Sequence, residues 1–182
     1  MSSILVLSGS PTAASRTAAL ADHIADRLRA DGHQVRTVRA RDLPARALLT
    51  GDTTDPVIAR LVADLDSVDG VVVASPVYKA AYTGLLKAVL DLLPQFALAG
   101  KVVLPVVTGG TPAHVLAIDY ALRPVLSSLG AHHIMQGWFV LDRHISDGPE
   151  LAVQAESATP LYQVVDDFSV TLHERRSAVA AR

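Results

Sequence analysis

The stretch Ser8-Gly9-Ser10-Pro11-Thr12-Ala13-Ala14-Ser15-Arg16-Thr17 follows directly on the apolar run Ile4 to Leu7 and leads into a segment of helical period. A strand that passes through a Gly/Ser-rich loop into a helix N-terminus leaves backbone N–H groups aimed at one point, which is the chemistry of an anion site. Ser10, Ser15 and Thr17 add hydroxyls and Arg16 adds a positive charge. An arginine at a helix N-terminus opposes the macrodipole and is locally unfavourable unless an anion sits there. The glycine spacing matches neither G-x-G-x-x-G nor G-x-x-x-x-G-K-[ST], so the expected anion is a terminal monophosphate. A plain β-α turn punctuated by Gly and Pro would account for the same loop without a ligand.

Two further loops carry chemistry. In Ser75 to Gly84, Pro76 stiffens the chain beside Val77, Tyr78 offers a flat face and a hydroxyl, and Lys79 is either a ligand contact or an ordinary surface charge. In Thr108-Gly109-Gly110-Thr111, two residues without side chains permit close approach of a ligand to the backbone, although paired glycines also make simple tight turns. His114 lies at the mouth of this loop, where ligand contact and capping of the next helix are equally open. His132 and His133 are adjacent, so their side chains diverge on a strand and no metal site is expected. The chain has no nucleophile elbow, no Ser/His/Asp signature and no carboxylate pair, and no catalytic residue is assigned. It also has no cysteine, so redox chemistry would require a cofactor.

The elements that must position these loops alternate. Runs at Ile4 to Leu7, Val35 to Val38, Val71 to Ala74, Val102 to Val107 and Ile134 to Leu141 read as five strands. Between and after them, helical periods run through Leu20, Ile24 and Leu28, through Val57 to Leu65, through Leu85 to Leu93, across about Ala113 to Leu129, and across about Leu161 to His173. Right-handed crossovers then give an α/β, doubly wound five-stranded parallel sheet of order 2-1-3-4-5 with helices on both faces. Ligands of such sheets bind at the carboxyl ends of the strands, where all three loops fall. A single domain over residues 1–174 is expected, with a loose connection at Ile145 to Pro160 and a flexible tail at 175–182.

Composition agrees with this architecture. Of 182 residues, 50% are hydrophobic and 4% aromatic, the Ala/Val/Leu/Ile mix of a sheet covered on both sides. A net charge of −2 supplies no field for gathering nucleic acid. No apolar run approaches a membrane span and no leader segment is evident, so a cytoplasmic protein with no membrane partner is expected.

Taken together, Pro76 to Tyr82, Thr108 to Thr111 and Asp119-Tyr120-Ala121-Leu122 resemble the NADPH-dependent FMN reductase family, above all the flavin reductase components of two-component alkanesulfonate monooxygenase systems. The resemblance runs from Ile4 to about Trp138. It implies a flavodoxin-like fold, FMN, and a pyridine nucleotide, NADPH or alternatively NADH, that reduces it. It further implies an FMNH2-dependent monooxygenase as the partner that receives reduced flavin. By position, Ser10, Ser15, Arg16 and Thr17 would grip the FMN phosphate. Pro76, Val77, Tyr78 and Lys79 would line the ring, and Thr108, Gly109, Gly110 and Thr111 would contact it from the next loop. Tyr120 matches an inserted tyrosine that turns the fourth helix into a π-turn at a tetramer interface. Pro124 independently removes a hydrogen bond from that helix. The third helix is apolar over much of its circumference, which favours a homo-oligomer, a dimer or a tetramer.

Alternatives remain at this level: a reductase that retains its FMN and reduces quinones or azo compounds, or a flavodoxin-type electron carrier. Such carriers usually have strongly acidic surfaces and sandwich the ring between aromatics, unlike this chain. Arg39 and Arg41, after the second strand, are candidates for a nucleotide 2′-phosphate.

Overall fold

The computed structural model describes residues 1–146 and 151–180. Its sheet contains β1 (Ser3–Ser8), β2 (Gln34–Arg39), β3 (Gly70–Tyr78), β4 (Ala81–Tyr82), β5 (Val102–Gly109), β6 (His133–Ile134) and β7 (Trp138–Leu141). The main path runs β2-β1-β3-β5-β6, with β7 also on β5, and all of these pairs are parallel. The expected order 2-1-3-4-5 is therefore present. The short β4 is an addition that folds back antiparallel on β3.

The expected fifth strand is broken in two, and Pro105 explains the break. Val102 and Val103 pair with β6 and Val106 to Gly109 pair with β7, so Pro105 sits beside the gap. A proline has no N–H for the ladder. At the gap Gly137 comes so close that a Cβ there would lie 2.6 Å from the Pro105 carbonyl oxygen. Only a glycine lets the chain pass and resume pairing.

The central strands are buried on both sides, as parallel strands must be when helices cover each face. Alternation divides them: Leu5, Leu7, Val71, Val73, Val103 and Val107 enter one core, while Ile4, Val6, Val72, Ala74, Leu104 and Val106 enter the other. On the second face lie α1 (Arg16–Ala30) and α6 (Ala155–Ala180), joined by Arg27 donating to both carboxylate oxygens of Asp166 at 2.8 Å. The first face takes α2 (Ala45–Thr50), α3 (Pro56–Asp66), α4 (Gly84–Asp91) and α5 (Arg123–Ser128).

Helix boundaries follow local chemistry. Ser15, Asp55 and Thr83 cap α1, α3 and α4 through their side-chain oxygens, and Pro56 occupies the first turn of α3 where no N–H is needed. The expected fourth helix is not uniform. A 3-10 turn at Pro112–His114 precedes a π-helix at Ile118–Leu122, and α5 begins only then. The Arg123 N–H reaches back five residues to the Ile118 carbonyl, and Pro124 follows with no N–H to continue an ordinary ladder. The π-turn expected at Tyr120 is thus present.

The last helix is longer than its apolar period indicates, starting before Pro160 and continuing to Ala180. Of the expected tail, residues 175–180 are helical, and Arg175 donates to the Gly100 carbonyl at 3.2 Å. Residues 181–182 lie outside the described residues, as do residues 147–150 of the expected loose connection, whose flanks meet in a bridge between Ile145 and Val153. Among the described residues no helix is long and apolar enough to cross a membrane.

Candidate functional site

The first loop is held rigidly before it reaches α1. The Gly9 N–H donates to the Ala74 carbonyl at 2.7 Å, and the Thr83 hydroxyl donates to the Gly9 carbonyl at 2.6 Å. The same Thr83 oxygen accepts from the Leu86 N–H at 3.1 Å, so one buried hydroxyl caps α4 and ties it to the loop. Glycine is required at position 9 because a Cβ there would lie 2.6 Å from Leu86 Cβ. Arg41 braces the outer part of the loop, its guanidinium donating to the carbonyls of Thr12 and Ala13.

Beyond these ties, Ser10, Thr12, Ala14, Ser15, Arg16 and Thr17 line a cleft of about 210 Å³ whose other wall is Pro76, Tyr78 and Asp142. Ser15 Oγ accepts the Ala18 N–H at 3.1 Å, which leaves its hydroxyl proton to be donated outward. Thr17 is buried, and its hydroxyl lies 2.6 Å from that of Thr108, joining the first loop to the end of β5. The first helical turn and its hydroxyls therefore face the carboxyl end of β3 across one cleft. All four expected phosphate residues are brought together there, with Pro76 and Tyr78 opposite.

The rest of the expected lining is distributed differently. Val77 is buried in the core with Val71 and Val73, as its parity in β3 requires, and does not line the cleft. Tyr78 is half-exposed, and Lys79 stands on the turn between β3 and β4. Lys79 and Ala80 have φ of 52° and 64° in that turn, a left-handed conformation that is strained for residues with a Cβ. Thr108 serves through its bond to Thr17, and Gly109 is buried under Phe139, whose ring would lie 3.1 Å from a Cβ. Gly110 and Thr111 are exposed, and Thr111 caps the 3-10 turn by accepting from Ala113 at 3.4 Å. His114 lies within that turn, with Nδ1 buried and without a hydrogen-bond partner. Tyr120 is 79% exposed on the π-helix and is not part of the cleft lining.

The sequence does not single out Asp142 or Thr83, and it marks Arg41 only as a candidate for a nucleotide 2′-phosphate, not as a brace of the first loop. Asp142 follows β7, so the strand-end rule that selected the other loops also pointed to it. Thr83 and Arg41 act through the loop's carbonyls, and no sequence spacing announces such bonds. Thr83 is identifiable from sequence only as the capping residue of α4.

The cleft fits a flavin mononucleotide by the chemistry of its donors. Hydroxyls and a helix N-terminal turn suit a phosphate, Asp142 is an acceptor suited to ribityl hydroxyls, and Pro76 and Tyr78 supply apolar contact for a ring. At about 210 Å³ it is smaller than clefts that enclose a whole ligand of that size, so its dimensions suit the phosphate tail rather than the whole molecule.

Comparison with known proteins shows the family and the fold. The family profile described as NADPH-dependent FMN reductase matches residues 2–145. An FMN reductase (NADPH) of Escherichia coli K12 is 40% identical over 175 residues, covering 94% of this chain and 91% of that protein. An NADH-dependent FMN reductase of Pseudomonas putida, SfnF, is 34% identical over 141 residues, 75% of each chain. The crystal structure of an apo NADH:FMN oxidoreductase superposes with a TM-score of 0.87 at 45% identity, over 94% of this chain and 90% of that one.

Proposed function

The chain belongs to the NADPH-dependent FMN reductase family, and from that premise we propose that it passes hydride from reduced nicotinamide to FMN and releases the reduced flavin to a partner monooxygenase. The carrying observation is the cleft itself, which joins the N-terminal turn of α1 to Pro76 and the half-exposed Tyr78. Bound flavin supplies the hydride acceptor. The protein's contribution is to bind and to orient. Ser10, Ser15, Arg16 and Thr17 hold the phosphate, Tyr78 and Pro76 support the ring, and the Thr17–Thr108 bond fixes the distance between the two loops. Proton transfer from a side chain is not required for hydride transfer, which accounts for a site without an acid–base pair. A ring held from one side can be approached from the other by a nicotinamide and can leave once reduced.

Assembly into a homo-oligomer, dimer or tetramer, is part of the same proposal. Leu116, Val115 and Tyr120 are exposed together along the π-helix region, which adjoins β4 and the strained turn. Apolar groups clustered in this way commonly mark interfaces. The nicotinamide reductant is drawn from the cytoplasmic pool, where we place the reaction. The assay is NADPH consumption by purified protein with and without free FMN, then with a quinone substituted for FMN. Stimulation by free FMN is expected. Consumption indifferent to FMN overturns the proposal, and stimulation by quinone with flavin permanently retained replaces it with a flavin-keeping reductase.

A further inference from the structure

A second cleft, of about 440 Å³, adjoins the flavin-phosphate cleft, and the two share Ala14, Ser15 and Arg16. Its outer wall is Arg39, at the end of β2, and Arg41, in the turn that follows, with Asp22 of α1 beside them. Three guanidinium groups thus line a cleft that holds one carboxylate. Arg39 donates to Asp22 at 2.6 Å, yet its side chain keeps 37% of its exposure. A guanidinium has five N–H donors, so the bond to Asp22 does not exhaust Arg39. Arg41 is committed more deeply to the carbonyls of the first loop and lies 3.4 Å from Asp42.

We propose that this cleft receives the adenosine 2′-phosphate of NADPH, with Arg39 as the specificity-determining residue that favours NADPH over NADH. The inference rests on the reading of the chain as a pyridine-nucleotide-dependent flavin reductase. The 2′-phosphate is the group that distinguishes the two nucleotides, and a planar guanidinium binds phosphate through paired, charge-assisted hydrogen bonds. Recognition of NADH commonly uses a carboxylate that accepts from the ribose 2′-hydroxyl. Asp22 is the carboxylate in this cleft, and Arg39 already occupies it. The cleft's volume is ample for the end of a nucleotide, and its shared wall lets a dinucleotide extend past the flavin phosphate along the N-terminus of α1. Relatives use either nucleotide, so the preference follows from these residues rather than from family membership.

The test pairs Arg39→Met with Asp22→Asn, which a purely structural role would affect alike and the proposal affects oppositely. With FMN as acceptor, Arg39→Met is expected to lower the NADPH-to-NADH ratio of kcat/KM by at least about tenfold, the scale of one lost charge-assisted hydrogen bond. Asp22→Asn is expected to raise that ratio by releasing the guanidinium. Calorimetric titration with adenosine 2′,5′-bisphosphate and with AMP reads the cleft without turnover. Arg39→Met is expected to weaken the bisphosphate by a similar factor and to leave AMP unchanged. Equal ratios in both variants and the parent protein overturn the proposal. So does a higher KM for FMN but not for riboflavin in Arg39→Met, which would assign the cleft to the flavin phosphate. Failure of both nucleotides to support FMN reduction refutes the reductase reading, while bisphosphate binding still decides the cleft.

Discussion

Thr83→Val removes one oxygen and keeps the side chain's shape, so it isolates the bond network between α4 and the first loop. Two losses follow from the structure. The Leu86 N–H loses its cap, held at 3.1 Å, and the buried Gly9 carbonyl loses its donor at 2.6 Å. Loss of a cap costs about 1 kcal/mol and an orphaned buried carbonyl about 1–3 kcal/mol, so the sum is about 2–4 kcal/mol. No cavity term is added because valine fills the same space. For a domain of this size each kcal/mol lowers Tm by roughly 2–4 °C, which gives a fall of about 8 °C by differential scanning calorimetry. Thr83→Ser retains both bonds and is expected to stay within about 1 kcal/mol of the parent. Since Gly9 precedes the phosphate residues, Thr83→Val is also expected to weaken FMN more than riboflavin. A Tm within about 2 °C of the parent, with unchanged flavin affinities, would refute the assignment of Thr83 as the tie between the loops.

Other perturbations follow from single contacts. Gly9→Ala forces a Cβ to 2.6 Å from Leu86 and is expected to cost about 1–3 kcal/mol in chemical denaturation and to weaken FMN binding. Ala80→Gly relieves a φ of 64° and is expected to raise stability by about 1 kcal/mol, measured as a higher denaturation midpoint. Burial, and for His33 also the neighbouring His173, holds the His33 and His23 imidazoles below their ordinary pKa. The unfolded chain therefore binds more protons than the folded one as pH falls through about 6.5, and stability is lost downward from there. A thermal-melting series from about pH 8 to pH 5 should show that decline, and a His23→Asn/His33→Asn variant should show a flatter curve over the same window. Leu116→Glu places a charge on the exposed apolar face and is expected to shift sedimentation toward a monomer, with no effect if that face is free in the parent.

The architecture was legible because the central strands are short, continuous apolar runs, and strict alternation with helical periods leaves one sensible winding. That Ser10, Ser15, Arg16 and Thr17 share one cleft was legible because they are contiguous in a single loop between β1 and α1. What was hidden depends on contacts between distant segments. Val77 was read as lining although its parity with Val71 and Val73 places it in the core. The break in the last strand was encoded in Pro105 and Gly137, but each acts through a neighbour more than thirty positions away. The left-handed turn at Lys79 and Ala80 carries no glycine to reveal it. The π-turn was half legible, since Pro124 marks the end of regular bonding while the register upstream depends on packing.

Whether the first turn of α1 holds a phosphate is decided by comparing FMN with riboflavin in titrations followed by flavin fluorescence. The two ligands differ only in that group. FMN is expected to bind at least about tenfold more tightly, the least expected for charge-assisted bonds to phosphate, and Arg16→Met is expected to abolish most of the difference. Equal affinities for the two flavins would contradict a phosphate site there.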